Sequence, residues 1–159
     1  LDFFQLKGES FLWDSSKRMF FTSKFKTSDV TQSDIVMGLQ ITDTTPLDIT
    51  DGIYFLKLDA DTQPDFIIEK DNSSTLSVLE MNAMADDTFV TLSFEYDPLD
   101  VATGGPVFRA YQDNVKVGQI ASTTNAPDDE ELTISFGIQN GEAVAKTLTI
   151  DYILAAVER

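Results

Sequence analysis

The 159-residue sequence contains neither cysteine nor histidine. Without cysteine there is no disulfide, no thiolate nucleophile and no thiolate metal site, which fits assembly in a reducing cytoplasm. Without histidine the chain lacks the commonest general base, the usual partner of a nucleophile in a catalytic triad and the commonest zinc ligand. We therefore expect no catalytic residue, no cofactor and no metal ion.

Positive charge is also scarce. Lysine and arginine number 11 against 27 aspartates and glutamates, which gives a net charge of −16. A field of this sign repels phosphate backbones and anionic lipids, so we expect neither a nucleic-acid nor a membrane partner. The given residues show no signal-peptide pattern and no apolar run long enough to span a bilayer, so we expect no membrane span. This charge keeps particles in solution, and it also suits docking onto a basic protein surface.

Apolar residues are plentiful: they make up 42% of the chain, and 12 of them are phenylalanine. This composition argues against disorder, and the length is that of one domain with a sizeable core. Alternation with a period of two dominates, most clearly where Val90, Leu92, Phe94 and Tyr96 interleave with mostly polar residues. We predict strands at 18–26, 34–41, 52–58, 65–70, 76–80, 87–97, 107–112, 116–120, 130–139 and 146–158. The absence of a helical pattern favours a two-sheet antiparallel sandwich or a barrel.

The same alternation predicts which side chains face the core. Six residues in the long strands are expected to point mostly inward: Leu92, Phe94, Phe136, Ile138, Ile150 and Tyr152. In the last strand, Leu148 and Leu154 are expected to share the inward face of Ile150 and Tyr152.

Residues 1–17 lack this periodicity and are predicted to be an amino-terminal arm that precedes a β-sandwich domain of residues 18–159. Large apolar groups at a chain end, where termini normally fray, are typical of a contact surface. We expect the arm to be ordered only when another subunit covers it. The alternative is that these side chains cover one end of the sandwich. The predicted contact residues are Phe3, Phe4, Leu6, Phe11, Leu12 and Trp13.

Two acidic motifs resemble chemical sites only weakly. Glu95 and Asp97 share one face of a strand, and a retaining glycosidase uses two carboxyl groups about 5–5.5 Å apart. The third acid of the usual β-sandwich glucanase motif is missing, and Pro98 ends the strand, which favours a solvated face. The three aspartates in 59–65 lack the glycine and the terminal glutamate of a helix-loop-helix calcium loop, so calcium there is the less favoured alternative.

Several phrases of the sequence resemble known proteins. Tyr111-Gln-Asp-Asn-Val-Lys-Val-Gly is similar to a strand-turn-strand of laminin-G and concanavalin A-like sandwiches. Roughly residues 19–159 resemble a family of tailed-bacteriophage virion proteins. The phrases that carry this second resemblance are Thr50-Asp-Gly-Ile-Tyr-Phe, Phe66-Ile-Ile-Glu-Lys-Asp, Asp86-Asp-Thr-Phe-Val-Thr-Leu, Pro127-Asp-Asp-Glu-Glu-Leu and Ile138-Gln-Asn-Gly-Glu-Ala.

The resemblance implies an all-β, two-sheet antiparallel jelly-roll sandwich of the concanavalin A-like kind. It also implies a non-enzymatic virion protein, made in the host cytoplasm, that decorates or cements the outer capsid surface. Its partners would be the major capsid protein and further copies of itself.

The alternative function is a lectin-like carbohydrate-binding module of a head-fibre or tail protein, with host glycans as ligands. Sugar rings stack on exposed aromatic faces. The sole tryptophan, Trp13, lies in the arm, and the four tyrosines fall mostly in strand patterns, which disfavours this alternative. An enzyme is the least favoured of the three functions.

Overall fold

The alternating stretches fold into eleven strands in a computed structural model that describes residues 1–74 and 78–159. The strands are β1 Asp2–Gln5, β2 Met19–Thr27, β3 Ser33–Gln40, β4 Gly52–Lys57, β5 Asp65–Glu69, β6 Val78–Glu80, β7 Val90–Asp100, β8 Gly105–Gln112, β9 Val115–Ile120, β10 Thr133–Asn140 and β11 Leu148–Val157. The described residues contain no helix, and hence none that could cross a membrane. The strand predicted at 76–80 is described only from Val78 onward, because residues 75–77 lie outside the described ranges.

The strands form two antiparallel sheets. Six strands are ordered β1-β10-β3-β4-β5-β6, and five are ordered β11-β2-β7-β8-β9. Phenylalanines join the two inner faces: the ring of Phe94 on β7 lies 5.5 Å from Phe21 on β2 and 5.3 Å from Phe66 on β5, between centroids. All three side chains are fully buried. The architecture is therefore a sandwich and not a barrel.

Most of the predicted inward positions are confirmed. Leu92, Phe94 and Ile138 belong to the buried core. Phe136 and Ile150 pack against that core but remain partly exposed, because both line a depression between β10 and β11. Alternation thus predicted the inner face well wherever a strand is regular.

The prediction for Tyr152 and Leu154 is wrong, and a β-bulge in β11 is the reason. The register against β2 shifts between Ile150 and Tyr152, so that Asp151 is an extra residue without a partner in the ladder. One extra residue inverts which face every later side chain occupies. Tyr152 and Leu154 consequently point outward with 44% and 54% exposure, while Ile153 packs against the core.

The outer face of the six-stranded sheet is covered by the chain's own 41–51 segment. Ile49 from this segment packs with Val36, Tyr54 and Ile67, which form a second, smaller apolar cluster. The side-chain amide of Gln40 donates a hydrogen bond to the Pro46 carbonyl at 3.2 Å. Because one outer face is closed in this way, the open surface of the sandwich lies on the five-stranded sheet.

The amino-terminal segment differs from the predicted arm. Within the single chain, β1 pairs with β10 as the edge strand of the six-stranded sheet. Trp13 is 5% exposed, and its ring lies 5.3 Å from Tyr96 and 6.3 Å from Phe108. Within the single chain, ladder hydrogen bonds hold β1 on β10, and Trp13 is part of the buried core. The expectation that another subunit orders residues 1–17 stays a prediction.

The other five predicted contact residues remain near the surface. Phe4, Leu6 and Leu12 are exposed, and Phe3 and Phe11 are half-buried. Their contact with a partner stays a prediction.

Replacing Trp13 with alanine tests its place in the core. We expect the free energy of unfolding to fall by about 3–5 kcal/mol, the usual effect of removing a buried aromatic ring. Urea denaturation followed by circular dichroism measures the change. The neighbouring Leu12→Ala substitution is the control, because Leu12 is 44% exposed and should change stability by about 0.5 kcal/mol or less. Equal, small effects of the two substitutions would mean that residues 1–17 are a detached arm.

Candidate ligand-binding face

The outer surface of the five-stranded sheet, here called the open face, collects alternate side chains from four strands. β2 contributes Phe20 and Thr22, and β7 contributes Ser93 and Glu95, which are directly cross-strand from them. β8 adds Arg109 and Tyr111 opposite Glu95 and Ser93. β11 adds Tyr152 and Leu154 on the other side of β2. The face thus has an aromatic or apolar side chain on both flanks of a polar strip.

Two depressions lie on the open face. The first has a volume of about 590 Å³ and lies between Tyr111 on one flank and Tyr152 with Leu154 on the other. The second, of about 410 Å³, continues toward Ala156 and Glu158. Phe20 and Glu95 line both depressions. Each volume lies within the range of small-molecule sites in proteins.

The polar strip is held by the carboxylate of Glu95. Its Oε1 accepts hydrogen bonds from Nη1 of Arg109 at 2.9 Å and from the hydroxyl of Tyr111 at 2.5 Å. Burial first, and then the hydrogen bond to Glu95, raises the pKa of Tyr111 to about 12. The hydroxyl therefore stays protonated at neutral pH and fixes the ring of Tyr111 against the sheet.

Arg109 connects three carboxylates in this region. Besides Glu95, its guanidinium contacts Asp100, and Nη1 lies 3.9 Å from Asp97. The arginine side chain is 15% exposed and that of Asp100 10% exposed. Hydrogen bonds from Thr103, and after them Arg109, hold the pKa of Asp100 below its ordinary value. Arg109 thus neutralises a group of acids that would otherwise repel one another across β7 and β8.

Hydroxyl groups form the middle of the first depression. Ser93 donates to the hydroxyl oxygen of Thr22 at 2.7 Å, and both side chains are 8% exposed. A hydroxyl can both donate and accept, so the Thr22 proton remains for a further acceptor. The depression therefore combines ring faces on its flanks with hydrogen-bonding groups along its base.

The cations toward the other end of the face are also paired with acids. Lys24 forms a 2.7 Å ion pair with Asp151, and Lys26 lies 3.8 Å from Asp87. Both ammonium groups lie over the ring of Phe89, at 5.1 and 5.5 Å from its centroid. Lys116, across β8 and β9 from Tyr111, donates instead to the side-chain amide of Gln119.

The structure places the two acidic motifs of the sequence differently. Glu95 and Asp97 do share the open face, but both are engaged by Arg109, which favours a structural role over a catalytic pair. Among the described residues, no three acidic side chains are grouped so that they could hold a metal ion, and this includes the aspartates of 59–65. None of the six amino-terminal apolar residues lines the two depressions of the open face.

Sequence reasoning missed Tyr152 and Leu154 as surface residues. A signal was present: the run from Tyr152 to Val157 is apolar at every position, whereas a one-sided strand alternates. Asp151 immediately before that run marks where alternation fails. Such a break in the pattern is typical of a bulge.

Comparisons with known proteins bear on the fold. No family model matches the chain, and no curated protein sequence matches it significantly. Solved structures do match. The carbohydrate recognition domain of Emp46p in its potassium-bound form is 15% identical with a TM-score of 0.68, over 96% of this chain and 76% of that one. Sheep galectin-11 is 10% identical with a TM-score of 0.55, over 98% and 96%. The carbohydrate binding module CBM66 from Bacillus subtilis is 10% identical with a TM-score of 0.53, over 89% and 77%.

At such low identity these likenesses establish the fold alone. The chain is an all-β, antiparallel jelly-roll sandwich of the concanavalin A-like kind, which confirms the fold predicted from the sequence.

Substituting Arg109 with glutamine should make the stability of the protein depend differently on pH. The folded protein holds the pKa of Asp100 below its unfolded value, so the ionised carboxylate stabilises the fold at neutral pH. That contribution is lost as the pH falls through the folded pKa. Without Arg109 the clustered carboxylates repel one another, so we expect the variant to be clearly less stable at about pH 7 and closer to the parent at about pH 3.

Urea denaturation at both pH values measures this difference. Arg18→Gln is the control, because Arg18 is largely exposed and forms only a 3.6 Å pair with Asp97. Such surface pairs contribute about 0–1 kcal/mol. A stability deficit of Arg109→Gln that stays the same at both pH values would contradict the role assigned to Arg109.

Proposed function

We propose that this chain is a carbohydrate-binding domain whose ligand lies in the first depression of the open face. The observation that carries the proposal is the outward placement of Tyr152 by the bulge, across the depression from Tyr111. Aromatic rings bury large apolar area at low entropic cost, and the C–H face of a sugar ring is the apolar surface that suits them. The polar groups between the two rings supply the complement: Glu95 can accept hydrogen bonds from sugar hydroxyls, and Ser93 and Thr22 can both accept and donate them.

The structural neighbours support this proposal. Three of them are named as a carbohydrate recognition domain, a galectin and a carbohydrate binding module. A shared fold does not by itself carry function to another chain. The support therefore rests on the aromatic flanks of the depression, with the neighbours in a secondary role.

The proposed activity is binding without cleavage. Glycoside hydrolysis requires two carboxyl groups that are free to act on either side of the scissile bond. Here Glu95 accepts two hydrogen bonds at one oxygen, and Asp97 lies between Arg109 and Arg18. Because the chain has no histidine or cysteine, a hydrolase here would depend on its carboxyl groups alone.

Replacing Tyr152 with alanine should weaken glycan binding by about tenfold. A well-placed aromatic contact contributes about 0.5–1.5 kcal/mol, and 1.4 kcal/mol corresponds to a tenfold change in Kd. A glycan array identifies a ligand, and titration calorimetry then measures its affinity. Phe4→Ala is the matched control, because Phe4 is another exposed aromatic residue, at 62%, but lies on the opposite sheet. If the two substitutions changed the glycan affinity equally, the sugar would bind outside the first depression.

A second candidate is a decoration protein on the outer capsid surface of a virion, bound to the major capsid protein and to copies of itself. The observation that favours it is an apolar edge: Phe4 in β1 and Leu1 and Leu6 at its two ends are each more than half exposed. An exposed edge strand with apolar side chains is a typical site for pairing with another chain. The acidic body would then face outward, where like charge keeps particles apart.

This candidate predicts that Phe4→Asp abolishes cosedimentation with tailed-phage capsid shells. The substitution places a charge in the middle of the apolar edge. Because the ring of Phe4 also stacks on Phe136, at 5.3 Å between centroids, circular dichroism of the variant first checks that the fold is retained. Tyr152→Ala is the matched variant on the open face and should cosediment as the parent does. Binding to shells that survives Phe4→Asp would exclude β1 as the contact.

A further inference from the structure

The two depressions of the open face lie next to each other along the strands, and together they are called the groove. They share Phe20 and Glu95, and no strand separates them, since both follow β2 and β11. Tyr152 lines the first depression and Glu158 the second. Six residues of an extended strand span about 20 Å at 3.3 Å per residue, which exceeds the width of a single sugar ring.

Exposed side chains border both ends of this groove. Asn114, in the turn between β8 and β9, is exposed and lies at the same end of the groove as Tyr152. Arg18 and Glu158 lie at the other end and are exposed as well. A chain of sugars could therefore enter and leave the groove at its ends. A pocket for a terminal sugar would instead need a wall at one end.

The charges along the groove disfavour an acidic chain. Glu95 lines both depressions and would repel a carboxylate or sulfate on the ligand. Arg109 and Arg18 are already paired with acids of β7, and Lys24 is paired with Asp151. The net charge of −16 adds repulsion over the whole molecule.

The second depression owes its space to a small residue. Ala156 lies on the outer face of β11, directly across from Phe20 on β2. It stands between the larger Leu154 and Glu158 on the same face. A larger side chain at this position would occupy space in the second depression, which Ala156 lines, and not in the first, which it does not line.

From these features we propose that the groove binds an internal stretch of an uncharged polysaccharide, several sugar residues long, along β2 and β11. This inference rests on the proposed function, because it assumes that the first depression holds a sugar between Tyr111 and Tyr152. Beyond the proposed function, the inference specifies that the ligand is several sugar residues long and carries no charge. The second depression would hold the sugars that follow along the chain.

The test is titration calorimetry with cello-, laminari-, manno- and xylo-oligosaccharides of two to six residues, and with oligogalacturonate and oligoalginate of the same lengths. For the uncharged series that binds, we expect the affinity to rise at least tenfold from the disaccharide to the hexasaccharide. Ala156→Leu should lower the affinity for the hexasaccharide by about tenfold, a 1.4 kcal/mol change, and leave that for the disaccharide unchanged. The acidic oligosaccharides should bind at least tenfold more weakly.

Two results would overturn this inference while leaving the proposed function intact. One is a disaccharide that binds as tightly as its hexasaccharide and loses affinity with Tyr152→Ala. The other is an acidic oligosaccharide that binds more tightly than every uncharged one. If neither these sugars nor any glycan on the array binds, or if Tyr152→Ala leaves the binding unchanged, the proposed function and the inference are overturned together.

Discussion

The packing of the two inner sheet faces is the constraint on which the rest of the molecule depends. Phe94 lies in the middle of this packing, against Phe21 of its own sheet and Phe66 of the other. Because side chains in a strand alternate, burying one face of β7 commits the intervening residues to the outside. The polar groups of the open face point outward because the phenylalanines beside them in the strand point into the core.

The same constraint explains why the two outer faces differ. On the six-stranded sheet the outward residues include Val36, Tyr54 and Ile67, which would be apolar surface if the 41–51 segment did not cover them. On the five-stranded sheet the outward residues are mostly polar, and acids there are balanced by Arg109. One sheet is therefore buried on both sides, while the other has a core side and a solvent side. The two depressions described above lie on the solvent side of the second sheet.

The sequence allowed the strands and the fold class to be predicted, but not the surfaces. The alternation from Val90 to Tyr96 is long and regular, so β7 and its inner face followed directly from it. β1 has four residues and no clear alternation, and its pairing with β10 is a tertiary contact across more than a hundred residues. Trp13 likewise looked like a terminal residue because its neighbours, Tyr96 and Phe108, are distant in sequence.

The bulge in β11 has a consequence for how this surface could change during evolution. Ile150 pairs with Phe25 on the inward face and Tyr152 pairs with Lys24 on the outward face, with Asp151 unpaired between them. Loss of the single codon for Asp151 would therefore make Ile150 and Tyr152 consecutive residues of a regular strand and keep Tyr152 on the open face. The bulge is thus a position where β11 can lose one residue without losing the aromatic flank, whereas a one-residue insertion or deletion further along the strand would exchange the inward and outward sets that follow it.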